Sequence, residues 1–261
     1  MNNIKISIIT VTYNSQSYLE QTIKSVIEQD YPNIEYIIID GGSSDKTLDI
    51  IKKYQDRIAY FLSEPDKNMY DAINKGIRVA TGDFIAILNS DDFYVNDTVI
   101  TNVVHFIKKY KDKNKGVYGN LLKVSSDGAL IRKRRCLQVS FKELLFSQKL
   151  SFVGHATLFI SKECYDNMGL YDCENFNYAA DYDFVLRSFR KYKIKYINLD
   201  IFNFREHQES ITSSGKITLE NIHVLEKNGY YNYLIIIRVF FYYYTWARFI
   251  LFNFRYLLNK T

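Results

Sequence analysis

From Ile4 to Leu88 the sequence alternates short apolar runs with helical periodicity, and that alternation constrains the fold more than any other feature. Residues 4–11 read as a buried strand. Leu19, Ile23, Val26 and Ile27 then recur at i, i+4, i+7 and i+8, the spacing of an amphipathic helix. Ser17 with Glu20 has the form of a capping box at its start. Residues 34–40 are a second apolar run, stopped by Gly41 and Gly42, and Leu48, Ile51 and Tyr54 mark a second helix. Residues 58–62 read as a strand, 70–79 as a helix and 84–88 as a further buried strand. Strands and helices alternating at this pace predict right-handed βαβ units and a mostly parallel sheet covered on both faces.

The second half is less regular. A helix over 98–110 leads to a hairpin of 117–124 and 129–132, turned at Asp127 and Gly128. An apolar helix near 141–146, a strand at 156–160, a helix over 181–192 and a strand over 194–199 follow. These readings give one α/β body over residues 1–215 and a helical tail over 216–261. A chain of 261 residues can bury its core without staples. Cys136, Cys164 and Cys173 are odd in number and form no C-x-x-C, which points to a reducing, cytoplasmic setting rather than a disulfide framework or zinc site.

The net charge of +5 lies entirely in the last 35 residues, where Lys227, Arg238, Arg248, Arg255 and Lys260 face no acidic residue. A neutral body with a basic tail is unlike a nucleic-acid binder, whose working face is basic. The segment from Tyr230 to Leu258 also holds 13 of the 42 aromatic residues. Only nine residues separate Arg238 from Arg248, and an arginine at mid-bilayer costs at least about 2.5 kcal/mol. A helix, or a pair of helices, lying in a membrane interface fits better than a span. A helix packed on the protein's own core or a dimer contact is the competing reading. The basic run at 132–135 could face acidic head groups, or be only a solvated face.

In an open parallel sheet, ligands bind beyond the carboxyl ends of the strands. Those ends carry Thr12-Tyr13-Asn14, Asp40 and Asn89-Ser90-Asp91-Asp92. No Gly-x-Gly-x-x-Gly or Gly-x-x-x-x-Gly-Lys-Ser/Thr is present to cradle phosphates, so a bound diphosphate needs another counter-charge. Asp91 and Asp92 offer one through Mg²⁺ or Mn²⁺, hard cations that take oxygen ligands. Neighbours on a strand point to opposite faces, so one Asp is expected on the metal and the other on a sugar hydroxyl. Asp-Asp after a strand also suits a solvated turn, and Asp40 before Gly-Gly a plain turn. Lys67 could pair a phosphate.

Ser7-Ile8-Ile9-Thr10-Val11-Thr12-Tyr13-Asn14, Asp40-Gly41-Gly42-Ser43-Ser44-Asp45, Glu64-Pro65-Asp66-Lys67, Asp71-Ala72-Ile73-Asn74-Lys75-Gly76 and Ala80-Thr81-Gly82-Asp83 stand in one order, followed by Leu88-Asn89-Ser90-Asp91-Asp92. Together they closely resemble family 2 glycosyltransferases of the GT-A fold. Ala179-Ala180-Asp181-Tyr182-Asp183 and Arg205-Glu206-His207-Gln208-Glu209-Ser210 extend the resemblance to about residue 213. It implies a nucleotide-binding half over 1–95, an acceptor half over 96–215, a nucleotide-diphosphate sugar donor (UDP foremost), a divalent cation and inversion at the anomeric carbon. By position, Thr12, Asn14 and Asp40 would hold base and ribose, with Asp66, Lys67 and Asn74 in the donor-binding set. Asp91 would face the ribose or donor sugar, Asp92 would bind Mn²⁺ or Mg²⁺, and His207 would lie near the diphosphate. His155 falls on the acceptor side.

Asp181 would be the general base. The family's usual Glu-Asp pair is here Ala180-Asp181. Inverting transfer is one displacement and needs one base, whereas a retaining hydrolase needs two carboxylates about 5 Å apart. Asp183 is the rival; it lies about 200° around a helix from Asp181, so both cannot serve one site. The expected product is a glycan or polyprenyl-linked oligosaccharide of the cell surface, built by an enzyme peripheral to the inner face of the membrane. A nucleotidyltransferase shares the layout but wants a Gly-rich basic loop after the first strand, unlike Tyr13-Asn14-Ser15-Gln16. A nucleotide-sugar binding module with decayed chemistry is the other alternative, opposed by Asp91, Asp92 and Asp181.

Overall fold

The computed structural model describes residues 4–110, 114–147, 153–207 and 217–258. β1 (Ile6–Thr12), α1 (Leu19–Ile27), β2 (Ile34–Asp40), α2 (Thr47–Lys53), β3 (Tyr60–Ser63), α3 (Met69–Val79) and β4 (Phe84–Ile87) realise the predicted alternation. Their strand pairs, β3–β2, β2–β1 and β1–β4, are all parallel. β1 is buried along its whole length and β2 nearly so, which is why they read as unbroken apolar runs. Ile9, Val11, Ile37 and Ile39 face one core, against Ile73 and Ile77 of α3. Ile6, Ile8 and Ile38 face the other, against Leu19 and Ile23 of α1.

Beyond β4 the sheet becomes mixed. β5 (Phe93–Tyr94), α4 (Val99–Tyr110), β6 (Gly116–Val124), β7 (Leu130–Arg134), α5 (Phe141–Ser147), β8 (Phe159–Ser161), α6 (Lys162–Met168), α7 (Ala180–Lys191) and β9 (Ile194–Arg205) follow. The order across the sheet is β3-β2-β1-β4-β8-β6-β9-β5, with β7 on β6. β8 is antiparallel to β4 and to β6, so β6 and its parallel neighbour β9 run in the direction of β4. The carboxyl ends of β1, β2, β4 and β9 therefore share one edge. The Asp127-Gly128 hairpin is present, with Gly128 at φ +87°.

Some local expectations fail. The capping box is absent: α1 begins at Leu19 with no side-chain cap, and Glu20 instead accepts the Tyr54 hydroxyl at 2.7 Å. Residues 155–157 form a turn of 3₁₀ helix, so β8 starts only at Phe159. β9 runs on to Arg205. In the tail, α8 (Ile217–Lys227) buries Val224 and Leu225 in the core that holds Phe184 of α7. α9 (Ile235–Leu258) packs Phe241, Trp246 and Phe249 inward, and its Arg248 pairs with Glu143 of α5. Ile236, Phe240, Tyr243, Ile250 and Leu251 remain exposed on its outer side. No described helix is long and apolar enough to cross a membrane.

At the opposite edge of the sheet, Glu35 is almost buried. Burial alone would raise its carboxyl, but hydrogen bonds from Lys5, Ser7 and Thr81 outweigh it and hold the group at about 2. A depressed folded pKa gives stability that is full above the unfolded value and is lost as pH falls toward the folded one. Acid titration of the folded chain is therefore expected to lose about 2–3 kcal/mol between roughly pH 4.5 and pH 2 through this group. Glu35→Gln should flatten that part of the stability–pH curve; a curve unchanged by the substitution would refute the assignment.

Candidate active site

Loops leaving β1 and β2 build the first wall. Thr12 and Asp40 are partners in the parallel register, and Gly41 donates its N–H to the Thr12 carbonyl at 2.9 Å. Asn14 adopts φ +48°, a left-handed conformation that asparagine tolerates, and its Oδ1 accepts the Ser44 N–H at 2.9 Å. The two loops are thus tied together. Asp40 is fully buried. Its Oδ2 accepts the N–H groups of Gly42 and Ser43 and the Ser63 hydroxyl, and its Oδ1 accepts the Ser43 hydroxyl. This carboxylate shapes the loop from within rather than projecting from it. Thr12 Oγ1 is the buried polar atom here with no partner.

Asp66 lies against this wall, its Oδ2 3.1 Å from where a Cβ on Gly41 would sit, so glycine is what lets it approach. Burial raises the Asp66 carboxyl, although Lys75 pairs with it at 2.7 Å. Lys67 is exposed and paired with Glu174. Asn74 is buried and spent on structure: its amide donates to the Tyr171 carbonyl at 2.9 Å and accepts the Tyr171 N–H at 3.0 Å.

The turn after β4 separates the two adjacent aspartates. Asp92 is wholly interior; its Oδ1 accepts the Arg205 N–H at 3.0 Å and its carbonyl accepts the Thr22 hydroxyl at 2.7 Å. Burial, and then the charge of Asp91, push its carboxyl well above the usual range. Asp91 is partly exposed, and its Oδ2 lies 2.9 Å from His207 Nε2. The two carboxylates part in a turn rather than along a strand, with the interior side falling to Asp92. Arg205 braces the pair. Its guanidinium donates to the carbonyls of Asp91 and Ser126 and to Gln21, and lies 4.6 Å over the Tyr18 ring, itself 5.3 Å from the His207 ring. Residues 208–210 of that motif lie outside the described residues.

A third group forms where α7 begins. Asp181 Oδ1 accepts the Tyr70 hydroxyl at 3.1 Å and the Tyr182 N–H at 2.8 Å. Tyr70 stacks on Tyr171, whose hydroxyl is 2.7 Å from His155 Nε2. Asp181 and His155, 26 positions apart in sequence, thus meet through two tyrosines to which the sequence pattern gives no role. Burial lowers the His155 imidazole, the charge of Asp181 opposing, so this ring is neutral near pH 7. Asp183 points inward, fully buried and paired with Arg187 at 2.7 Å and Lys227 at 3.2 Å. Tyr70 lies in the first turn of α3, just beyond the carboxyl end of β3. The Asp40 loop, Asp91 with His207, and Asp181 with Tyr70 accordingly all lie along the carboxyl edge of the sheet.

The profile of "Glycosyl transferase family 2" matches residues 7–165. The chain belongs to that family. A Mycobacterium tuberculosis protein described as an uncharacterized glycosyltransferase is 33% identical over 186 residues, which cover 70% of this chain and 68% of its relative. A Methanococcus voltae relative is 28% identical over 256 residues, 88% of this chain and 76% of its own. Its name is dolichyl N-acetyl-alpha-D-glucosaminyl phosphate 3-beta-D-2,3-diacetamido-2,3-dideoxy-beta-D-glucuronosyltransferase. Among solved structures, Staphylococcus aureus TarS 1–349 in complex with UDP-GlcNAc superposes with a TM-score of 0.69 at 18% identity. That match covers 86% of this chain and 66% of TarS 1–349, so the chain spans about two thirds of its length. The likeness is one of fold, and the fold of this family 2 glycosyltransferase is GT-A.

Whether the site suits a divalent cation turns on its donors. Among the described residues no group of three or more His, Cys, Asp or Glu could hold a metal ion. A carboxylate and an imidazole do meet, at Asp91 and His207, and both are partly open to solvent. These two donors, found among the described residues, leave positions for diphosphate oxygens and water, and the carboxylate is the oxygen ligand that Mg²⁺ or Mn²⁺ takes at phosphate-bearing substrates. The residues present fit such an ion.

Proposed function

We propose that this chain transfers a sugar from a UDP-sugar to a lipid-linked or polysaccharide acceptor, with inversion at the anomeric carbon. The observation that carries the reading is the Asp181 carboxylate at the acceptor end of the edge, held by Tyr70 and Tyr182, together with the Asp91–His207 pair. Both hydrogen bonds to Asp181 fall on Oδ1, which leaves Oδ2 to take the proton of the attacking hydroxyl. Tyr70 and Tyr182 orient the carboxylate, and Tyr171 with neutral His155 lines the acceptor side. The loops of Asn14, Asp40 and Asp66 form the wall for the nucleoside. Asp91 and His207 would hold the cation, with Asp92 and Arg205 bracing them from inside. When bound, the ion supplies positive charge to the departing diphosphate.

The lipid-linked acceptor is supported by the name of the Methanococcus voltae relative, a dolichyl-phosphate-linked sugar transferase, and by α9. One side of α9 packs on the protein while the other exposes a row of Ile, Phe, Tyr and Leu side chains, a distribution suited to the head-group boundary of a cytoplasmic membrane face. The test is a transfer assay with UDP-, GDP- and dTDP-sugars on a polyprenyl-diphosphate-linked sugar, with and without Mn²⁺, alongside sedimentation with anionic vesicles. Mn²⁺-dependent release of UDP with formation of one glycoside, and cosedimentation, are expected. Activity with nucleoside triphosphates in place of nucleotide sugars would overturn the reading in favour of a nucleotidyltransferase.

A further inference from the structure

Ala180 stands where the family's acidic pair would carry a glutamate, and the structure brings a carboxylate to the same segment from α8. Glu220 Oε1 accepts the Asn177 N–H at 3.0 Å, and its Oε2 accepts those of Tyr178 at 2.7 Å and Ala179 at 3.0 Å. These are the last three N–H groups before α7 starts, and Ala179 at its N-cap has no side chain able to cap. Negative charge at a helix start is also favoured by the helix dipole.

The segment so held leads directly to Asp181. It is also held from the start of α3, where the N-cap Asn68 donates through Nδ2 to the Cys173 carbonyl at 3.0 Å and to Asn177 Oδ1 at 2.9 Å. Glu220 holds the same segment from α8, and it can do so because α8 is itself fixed. Val224 and Leu225 are buried, and Lys227 pairs with Asp172 at 2.7 Å and with Asp183. The charge of Glu220 also reaches the catalytic cluster: after burial, the charges of Asp181 and then Glu220 keep the Tyr70 hydroxyl protonated.

We propose that Glu220 is a positioning residue for sugar transfer, holding Asn177, Tyr178 and Ala179 so that Asp181 meets the acceptor hydroxyl in reactive geometry. This rests on the reading of Asp181 as the base. It also makes α8 part of the catalytic body, although the sequence places it in the tail.

The experiment measures kcat and donor KM for Glu220→Ala and Glu220→Gln in the full chain, with UDP affinity by calorimetry in Mn²⁺. Glutamine keeps one accepting oxygen and loses the charge. For Glu220→Ala, kcat is expected to fall about tenfold or more, since misplacement by about 1 Å can cost 100-fold, with donor KM and UDP affinity within about twofold of the parent. Glu220→Gln should fall between the two. An unchanged kcat in Glu220→Ala overturns the proposal, and so does a parallel loss of kcat and UDP affinity, which would mark general structural damage. Asp181→Asn is assayed beside them: if it still transfers sugar, the base reading itself fails and this proposal with it.

Discussion

Asp181→Asn is expected to lower kcat for sugar transfer by about 10³-fold, the middle of the range for losing a general base, while UDP binding is retained. The substitution is close to isosteric. Its carbonyl oxygen can still accept the Tyr70 hydroxyl and the Tyr182 N–H, so the start of α7 keeps both bonds that orient residue 181. What disappears is basicity. The acceptor hydroxyl then attacks without losing its proton in the same step, and Asp183, the neighbouring carboxylate, is buried and committed to Arg187 and Lys227. Single-turnover transfer to acceptor, read against UDP calorimetry, separates chemistry from binding. Retention of more than a tenth of kcat would mean that another group takes the proton.

Why Asp181 and its partners divide as they do bears on what a sequence can report. β1, β2 and β4 were legible because strands buried on both faces have little choice but to be apolar. β9 was read short because Asn198, Asp200 and Asn203 interrupt the apolar pattern; in the structure, Asn198 and Asp200 join Asn120 in a polar network between β9 and β6. Ser17 and Glu20 had the spacing of a capping box, but the helix starts only at Leu19 and Tyr54 takes the glutamate. Spacing is a local property, and a tertiary partner outbid it.

The site shows the same division. That Asp40 and Asp91 would gather at the carboxyl edge followed from strand order, and the place of Asp181 from the family resemblance. Which of them points outward did not, because Asp40 and Asn74 are polar groups consumed by backbone, and a sequence cannot distinguish that from a ligand contact. Tyr70 and Tyr171 carried no signal beyond hydrophobicity. The contacts Asp91–His207 and Glu220–Ala179 join residues 116 and 41 positions apart, and only the packed fold brings them together.

The adjacent aspartates give the second large effect. Asp91→Asn is expected to reduce Mn²⁺-dependent turnover by about 10²–10³-fold, the loss typical when one group stabilising developing charge is removed. His207→Ala should raise the Mn²⁺ concentration needed for half-maximal activity by about 10-fold or more, since it withdraws one of the two donors found among the described residues. Asp92→Asn should behave differently, even though position alone made Asp92 the metal ligand. Asparagine still offers an oxygen to the Arg205 N–H, and the substitution removes a carboxyl that burial already disfavours as an anion. The requirement for Mn²⁺ should then stay close to that of the parent, with any change appearing in thermal stability. Mn²⁺ titrations of the three variants decide the matter: if Asp92→Asn loses activation by the ion while Asp91→Asn keeps it, the cation sits on the inner carboxylate and the outward pair of Asp91 and His207 serves only the loop.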